Sequence, residues 1–393
     1  MKNKEYIKGI ATGVALSLAV GAGGYLGYRS QYDGVLSESE HVGKLKYLEH
    51  LIDEEYLGEV DQEKLAEGIY TGLVYGLGDV YSRYYTAEEY QQENSSTMGA
   101  YVGIGIAMQK NEGGGDRIVE CYEEGPGDKA GLKAGDIISG IDGTDITEKD
   151  VSEVVDMIRG SGKEKVVLTV HRQNVENAME VTVEITDVEL PSVFSEMLEN
   201  QTGYIRISQF TDVTPDQYEK AFSDLKDQGM EKLVVDLRGN PGGLLTSVCA
   251  ILNSILPEGL IVYTEDKYGN RSEERSEGKT PLDMPFAVLV NENSASASEI
   301  FAGAVQDYGI GTIVGTVTYG KGVVQELRPL SDGSAVKLTV SDYYTPKGNS
   351  INEVGIKPDV EVKLDPELLN QEEITHQEDN QLQEALKVLE TDN

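Results

Sequence analysis

The sequence predicts a multidomain α+β protein, and three observations lead there. At 393 residues the chain has room for two or three domains. Its hydrophobic periodicity changes along the way, from helical spacing to strand-like alternation, then to short apolar strands interleaved with helices. Glycine-rich turns stand where one regime gives way to the next. In order, residues 1–29 read as a membrane anchor or signal segment and 40–95 as a helical region. A small β-rich domain follows over 98–188, then a mixed α/β core over 190–360 and an acidic tail with a short helix over 361–393.

The N-terminal stretch Gly9 to Tyr28 has no charged residue; Lys2, Lys4 and Lys8 precede it and Arg29 follows. Its length suits one transmembrane helix, and the basic flank puts the N-terminus in the cytoplasm with the rest of the chain exported. A cleaved signal peptide, which would leave a secreted protein, is the alternative, but the stretch is long for one and lacks a clear Ala-x-Ala site. From Lys44 to Gln92, Leu45, Leu48, Leu51 and Ile52, then Leu65, Ile69, Leu73 and Leu77, recur at helical spacing. Gly76, Gly78 and Asp79 break the pattern.

From Met98 to Asp187, Tyr101-Val102-Gly103-Ile104-Gly105-Ile106 alternates glycine with apolar residues, and a second glycine-rich run extends from Gly125 to Gly143. A helix is expected over Asp150 to Ile158, with strands over Val166 to Arg172 and Met179 to Ile185. In the core, a strand runs from Tyr204 to Phe210, and a helix opens at Thr214-Pro215 and closes at Gly229. The buried strand Lys232 to Leu237 turns through Arg238-Gly-Asn-Pro-Gly242-Gly243 into the helix Leu244 to Leu256. Such a turn offers unpaired N–H groups to an anion, though the same glycines also make a plain tight turn. Phe286 to Val290 is a further strand; a serine-rich turn follows, then the helix Glu299 to Tyr308, stopped by Gly309. Leu260 to Asp266, Val323 to Leu330 and Ala335 to Tyr344 are expected to complete one mixed sheet. In the tail, Leu382, Ala385, Leu386 and Leu389 form an apolar stripe that docks, dimerises or frays.

Composition narrows the chemistry. There are 69 acidic against 33 basic residues, a net charge of −36, which argues against nucleic acid as a partner. It suits a solvated domain held off an anionic membrane surface. Cys121 and Cys249 fall in different predicted domains, so no disulfide is expected. There is no His-Glu-x-x-His run and no Cys/His cluster, so no metal or other cofactor is implied.

Ser296 stands where free backbone N–H groups and a positive helix end converge, a place suited to a nucleophile whose reaction develops an oxyanion. Ser296 with Glu299 is equally an ordinary capping box. A serine nucleophile needs a base, yet none of His41, His50, His171 and His376 falls beside a motif. Lys321 does: Gly320 and Gly322 flank it among Val317, Tyr319, Val323 and Val324. Desolvated there, its amine would have a lowered pKa and could serve as the base. Gln325, on an extended strand, shares the face of Lys321 and could hold the amine by a hydrogen bond. Gly315 to Lys321 also has the spacing of a nucleotide-binding P-loop. Gly322 stands where that loop needs a hydroxyl, and the strand-like run behind it argues against nucleotide binding.

Three motifs, Ser294-Ala-Ser296-Ala-Ser298-Glu299-Ile, Gly320-Lys321-Gly322-Val-Val-Gln325 and Asp236-Leu-Arg-Gly-Asn-Pro-Gly-Gly243, together resemble the carboxy-terminal processing peptidases. These are serine endopeptidases with a Ser-Lys dyad and an inserted PDZ domain. The resemblance covers nearly the whole chain after the apolar segment, with Tyr319 where the motif often has Phe. It implies Ser296 as nucleophile, Lys321 as base and Gln325 as its support. It further implies an oxyanion hole from the N–H groups of Gly242 and Ala297, with Gly243 the alternative to Gly242. The run Gly125 to Gly143 is similar to the PDZ signature. A PDZ domain adds a peptide C-terminus as a strand, with Val102, Gly103, Ile104, Gly105 and Ile106 as the carboxylate loop. The glycines there could instead mark a bulge. An apolar pocket implies substrates with apolar C-termini. In this family the helical region often joins a dimer contact, giving a homodimer, and a plain packing subdomain fits it equally. The expectation is a single-pass, extracytoplasmic serine endopeptidase; the alternative is a PDZ-based adaptor with a non-catalytic core.

Overall fold

The computed structural model describes residues 34–160, 162–369, 371 and 374–391, in two compact units that divide after Leu73. The segment from Gly9 to Tyr28 lies outside the described residues, and among those described no helix is long and apolar enough to cross a membrane.

The helical region carries α1 (Ser39–Glu55) and α2 (Gln62–Tyr75). Their periodicity is as expected, but neither buries a residue, and Leu45, Leu48, Ile69 and Leu73 are exposed.

The second unit begins with β1 (Arg83–Tyr85) and α3 (Ala87–Met98). Thr86 and Glu89 close a capping box at the start of α3, and Gly99, with φ 65°, ends it. The small β-rich domain follows with β2 (Ala100–Gly103), β3 (Ile106–Lys110), β4 (Asp116–Cys121), α4 (Pro126–Lys129), β5 (Ile137–Ile141) and β6 (Thr144–Asp145). It closes with α5 (Val151–Arg159), β7 (Lys165–His171), β8 (Met179–Glu184) and β9 (Thr186–Glu189). Strands β3-β4-β5-β7-β8 form an antiparallel sheet, with β6 paired to β5, around Ile118, Ile138, Leu168 and Val183. A separate ribbon, β2 against β9, carries the chain into and out of the domain.

The core supplies β10 (Val193–Leu198), β11 (Thr202–Ile207), α6 (Thr214–Asp227), β12 (Lys232–Asp236) and α7 (Leu245–Ile255). Next come β13 (Gly259–Asp266), β14 (Arg271–Ser276), β15 (Phe286–Val290), α8 (Ala297–Tyr308) and β16 (Thr312–Gly315). The last elements are β17 (Val323–Pro329), β18 (Ala335–Tyr344), β19 (Val360–Glu361) and α9 (Asn380–Thr391). One sheet runs β10-β11-β12-β15-β16-β19, parallel except at β10. Its central strands are buried on both faces, which is why Phe286 to Val290 reads as an unbroken apolar run. Helices α6, α7 and α8 pack on one face, and α9 seats Leu382, Ala385 and Leu389 on the other against Val234, Leu289 and Val314. Of the three fates open to the tail helix, the structure shows docking onto the core.

The expectation of one mixed sheet is corrected. Strands β13, β17 and β18 form a second, antiparallel sheet, order β1-β18-β13-β14 with β17 also on β18. Strand β18 is mostly half-buried, unlike the fully buried β15. Backbone pairing, which the hydrophobic pattern alone does not reveal, is what assigns the strands to separate sheets.

Candidate active site

Parallel neighbours β12 and β15 release their chains at the same edge of the sheet, so the loop after Asp236 and the turn after Val290 lie side by side. Asn240 knots them together: its carbonyl accepts from Ala295 N–H and Ser298 Oγ, both at 3.0 Å, and its side chain donates to Ile207 O at 2.9 Å. Ser294 Oγ likewise donates to Leu237 O at 2.7 Å. The two outer serines are thus fully buried and spent on structure, whereas Ser296 between them is half-buried and lines a cavity of about 510 Å³. Its backbone has φ 53° and ψ −112°, a combination sparsely populated by residues other than glycine. Such strain persists only where the surroundings over-determine it, as these bonds do.

Gly242 sits against this turn, because a Cβ there would come within 2.8 Å of Ser296 Cβ and 3.0 Å of Ala297 N. Expected to present its N–H to an oxyanion, Gly242 instead donates it to Asn240 Oδ1 at 2.8 Å. Ala297 begins α8, in the first turn, where amides have no intrahelical acceptor. Both residues line the cavity, as does Gly243.

Glu299 is the organising group. Fully buried, it accepts from Ser296 N–H at 2.8 Å and Lys321 N–H at 2.8 Å on Oε2, and from Gly320 N–H at 2.7 Å and Thr318 Oγ1 at 2.6 Å on Oε1. One carboxylate therefore fixes the serine turn and the lysine loop to each other. Tyr343 adds a second tie: its hydroxyl donates to Lys321 O and lies 3.1 Å from Ser296 O. The glycines beside Lys321 are there for contact, since a Cβ on Gly322 would meet Asn352 N at 2.3 Å and one on Gly320 would meet Val354 N at 3.1 Å.

The Lys321 ammonium lies 4.7 Å from the centre of the Tyr81 ring. Burial pushes its pKa below the ordinary value and the neighbouring Lys337 pushes the same way, against Asp79, Glu299 and Glu93. Lys337 itself is held charged by Glu93 at 2.6 Å and Tyr85 Oη at 3.0 Å. Gln325 lines the same cavity, but its amide donates to Thr339 Oγ1 at 3.2 Å and Val323 O at 3.4 Å. The expected shared strand face does not hold: β17 begins at Val323, after Lys321, and a register shift separates Val324 from Gln325. None of the four histidines lines this cavity. The residues after Gly322 form strand β17, not the helix a P-loop requires.

Behind the Asp236 loop, the half-buried Arg238 pairs with Asp236 at 2.6 Å and with Asp379 at 2.7 Å, and Tyr204 Oη donates to Asp236 at 2.7 Å. This network joins the segment entering α9 to the strand that leads into the Asn240 turn. The sequence motif pointed to the turn but not to its partner some 140 residues on. Glu299 was visible as a capping residue; Tyr81, Lys337 and Tyr343 carried no local signal.

In the β-rich domain, Val102 is exposed while Gly103, Ile104, Gly105 and Ile106 are buried, and Gly105 has φ 72°. A cavity of about 260 Å³ lies between this loop and α5.

Comparison with known proteins gives three matching family models: peptidase family S41 over residues 201–362, a PDZ domain over 117–172, and the activating protease CtpB N-terminal domain over 26–89. A "Probable CtpA-like serine protease" of Staphylococcus epidermidis is 34% identical over 326 residues, covering 81% of this chain and 65% of the relative. The chain thus spans less than two thirds of that relative's length. A "Carboxy-terminal-processing protease" of Bartonella bacilliformis is 36% identical over 315 residues, 79% of this chain and 72% of the relative. "Carboxy-terminal processing protease CtpB" of Bacillus subtilis is 35% identical over 324 residues, 81% of this chain and 67% of the relative.

Proposed function

The chain belongs to peptidase family S41, with the carboxy-terminal processing proteases, and on that premise we propose that it is a serine endopeptidase working through Ser296 and Lys321. The observation that carries this reading is the strained, half-buried Ser296 sharing one cavity with a half-buried lysine of lowered pKa. Neutral Lys321 takes the proton of Ser296 Oγ as that oxygen attacks a peptide carbonyl. The oxyanion is met by Ala297 N–H together with an amide of the Gly242–Gly243 turn, where Gly242 must first leave Asn240 Oδ1 or Gly243 donates in its stead. Protonated Lys321 returns the proton to the leaving amine, and then, neutral again, activates the water that releases the acyl group.

In the present arrangement Lys321 faces Tyr81 and the Gln325 amide faces Thr339, so catalysis requires both side chains to turn toward Ser296. The PDZ groove receives a substrate C-terminus ending in an apolar residue. The segment from Gly9 to Tyr28 anchors the chain in the cell membrane with the catalytic part outside the cytoplasm. The exposed apolar faces of α1 and α2 supply a homodimer contact.

The test incubates the chain and its Ser296→Ala variant with an unstructured protein ending in apolar residues, with fragments read by mass spectrometry. Cleavage by the parent alone is expected. Equal cleavage by both would remove Ser296 as nucleophile, and no cleavage by either would leave a PDZ-based adaptor as the reading.

A further inference from the structure

One wall of the PDZ groove is an aromatic side chain from the strand that leads into its loop, Tyr101. Tyr101 and Gly103 lie two residues apart on β2 and so share a face. The Tyr101 ring folds so closely over Gly103 that a Cβ on that glycine would come within 2.4 Å of Tyr101 Cε2. Arg159, the last residue of α5, sets its guanidinium 4.8 Å from the ring centre. The ring lines the 260 Å³ cavity together with Ile104, Ile106, Val155 and Ile158, that is, between the carboxylate loop and the groove helix.

The loop is rigidly presented. Ile104 O accepts from Gly127 N–H at 2.8 Å and Gly105 O from Tyr122 N–H at 3.0 Å, which ties the loop to the segment from Tyr122 to Gly127. Burial first, and then Tyr122, push the Tyr101 phenol up in pKa, while Arg159 and the backbone N–H groups of Ile106 and Gly105 pull it back. The Arg159 guanidinium set over the ring is a cation that an incoming carboxylate would also meet. Tyrosine suits this, having an apolar body for the pocket and a polar tip for the loop.

We propose that Tyr101 is an intramolecular ligand of the PDZ groove, and that a peptide C-terminus enters only by displacing its ring. This rests on the reading of the groove as a C-terminus site. Apparent affinity is then reduced by the fraction of molecules whose groove is open, so the residue sets a threshold that a weak or poorly fitting C-terminus does not pass.

The experiment uses the full chain carrying Ser296→Ala, so that bound peptide survives, and a fluorescein-labelled peptide ending in an apolar residue with a free carboxylate. The same peptide as its C-terminal amide is the control, and binding is read by fluorescence anisotropy. Adding Tyr101→Ala is expected to tighten the carboxylate peptide about tenfold, as for a groove open roughly one tenth of the time. Tyr101→Phe, which keeps the ring but loses the hydroxyl, is expected to tighten it by less. Equal or weaker binding by Tyr101→Ala overturns the proposal and leaves the groove reading standing. Identical binding of carboxylate and amide, or none by any variant, overturns the groove reading and the proposal with it. Circular dichroism checks each fold; should Tyr101→Ala fail to fold, Tyr101→Phe carries the test, and its failure to tighten overturns the proposal.

Discussion

Glu299 ties two backbone segments with one buried side chain, and that makes its substitution informative. In Glu299→Gln one oxygen becomes an amide that faces N–H and O–H donors instead of accepting from them. Each donor stranded by that change costs about 1–3 kcal/mol, so calorimetry should show a lower Tm, and turnover should fall as the Ser296 and Lys321 segments drift apart. Lys321→Arg should be inactive with an unchanged circular-dichroism spectrum, because guanidinium stays protonated. The Lys321 pKa lies below its ordinary value, and the neutral form is the base, so kcat/KM should fall as pH drops through that lowered pKa. Lys337→Gln removes a like charge that helps depress it, and leaves Glu93 unpaired nearby. The acid limb of the pH profile should therefore move to higher pH; no movement would discount Lys337. For stability the sign follows from linkage. The unfolded chain binds this proton more tightly than the folded one, so stability rises with pH between the lowered and ordinary values. Ser296 and Lys321 were legible because serine, glycine and helix onset mark them locally. Tyr81, Lys337 and Tyr343 reach the site from other elements, and no spacing in the sequence announces such contacts.

Helices and buried strands were legible in the same way. Helix α8 and strand β15 follow from an apolar run, a turn and a glycine stop, and α9 from a four-residue apolar stripe. What periodicity could not give was pairing, and so the second sheet and the break before β17 went unforeseen, along with the loss of a common face for Lys321 and Gln325. The loop from Thr316 to Gly322 depends on close backbone contact with residues 352–355. Gly322→Ala must displace that contact, so it should abolish cleavage while leaving C-terminal peptide binding to the PDZ domain intact; retained turnover would show that the loop has slack. Helix α9 is held by apolar burial, and Leu382→Ala should cost about 2–5 kcal/mol, read by chemical denaturation.

The core that carries Ser296 and Lys321 is discontinuous in sequence. Strand β1 pairs with β18, Arg83 opposite Lys337 and Tyr85 opposite Ala335, so the whole PDZ domain is inserted between two strands of one sheet. A chain begun after Thr86 would keep Ser296, Lys321 and Gln325 but lose Tyr81, Tyr85 and the cover of the β18 edge. It should bind peptide through its PDZ domain yet show no turnover, a split that separates the two functions on one molecule. The β1–β18 pairing also has a consequence during synthesis. A nascent chain emerges N-terminus first, and Ser296 appears before Lys321, which in turn appears before β18. Until some 340 residues have left the ribosome, the two ends of that sheet cannot meet. The pairing that closes the sheet beside Lys321 therefore forms only after β18 itself has been made.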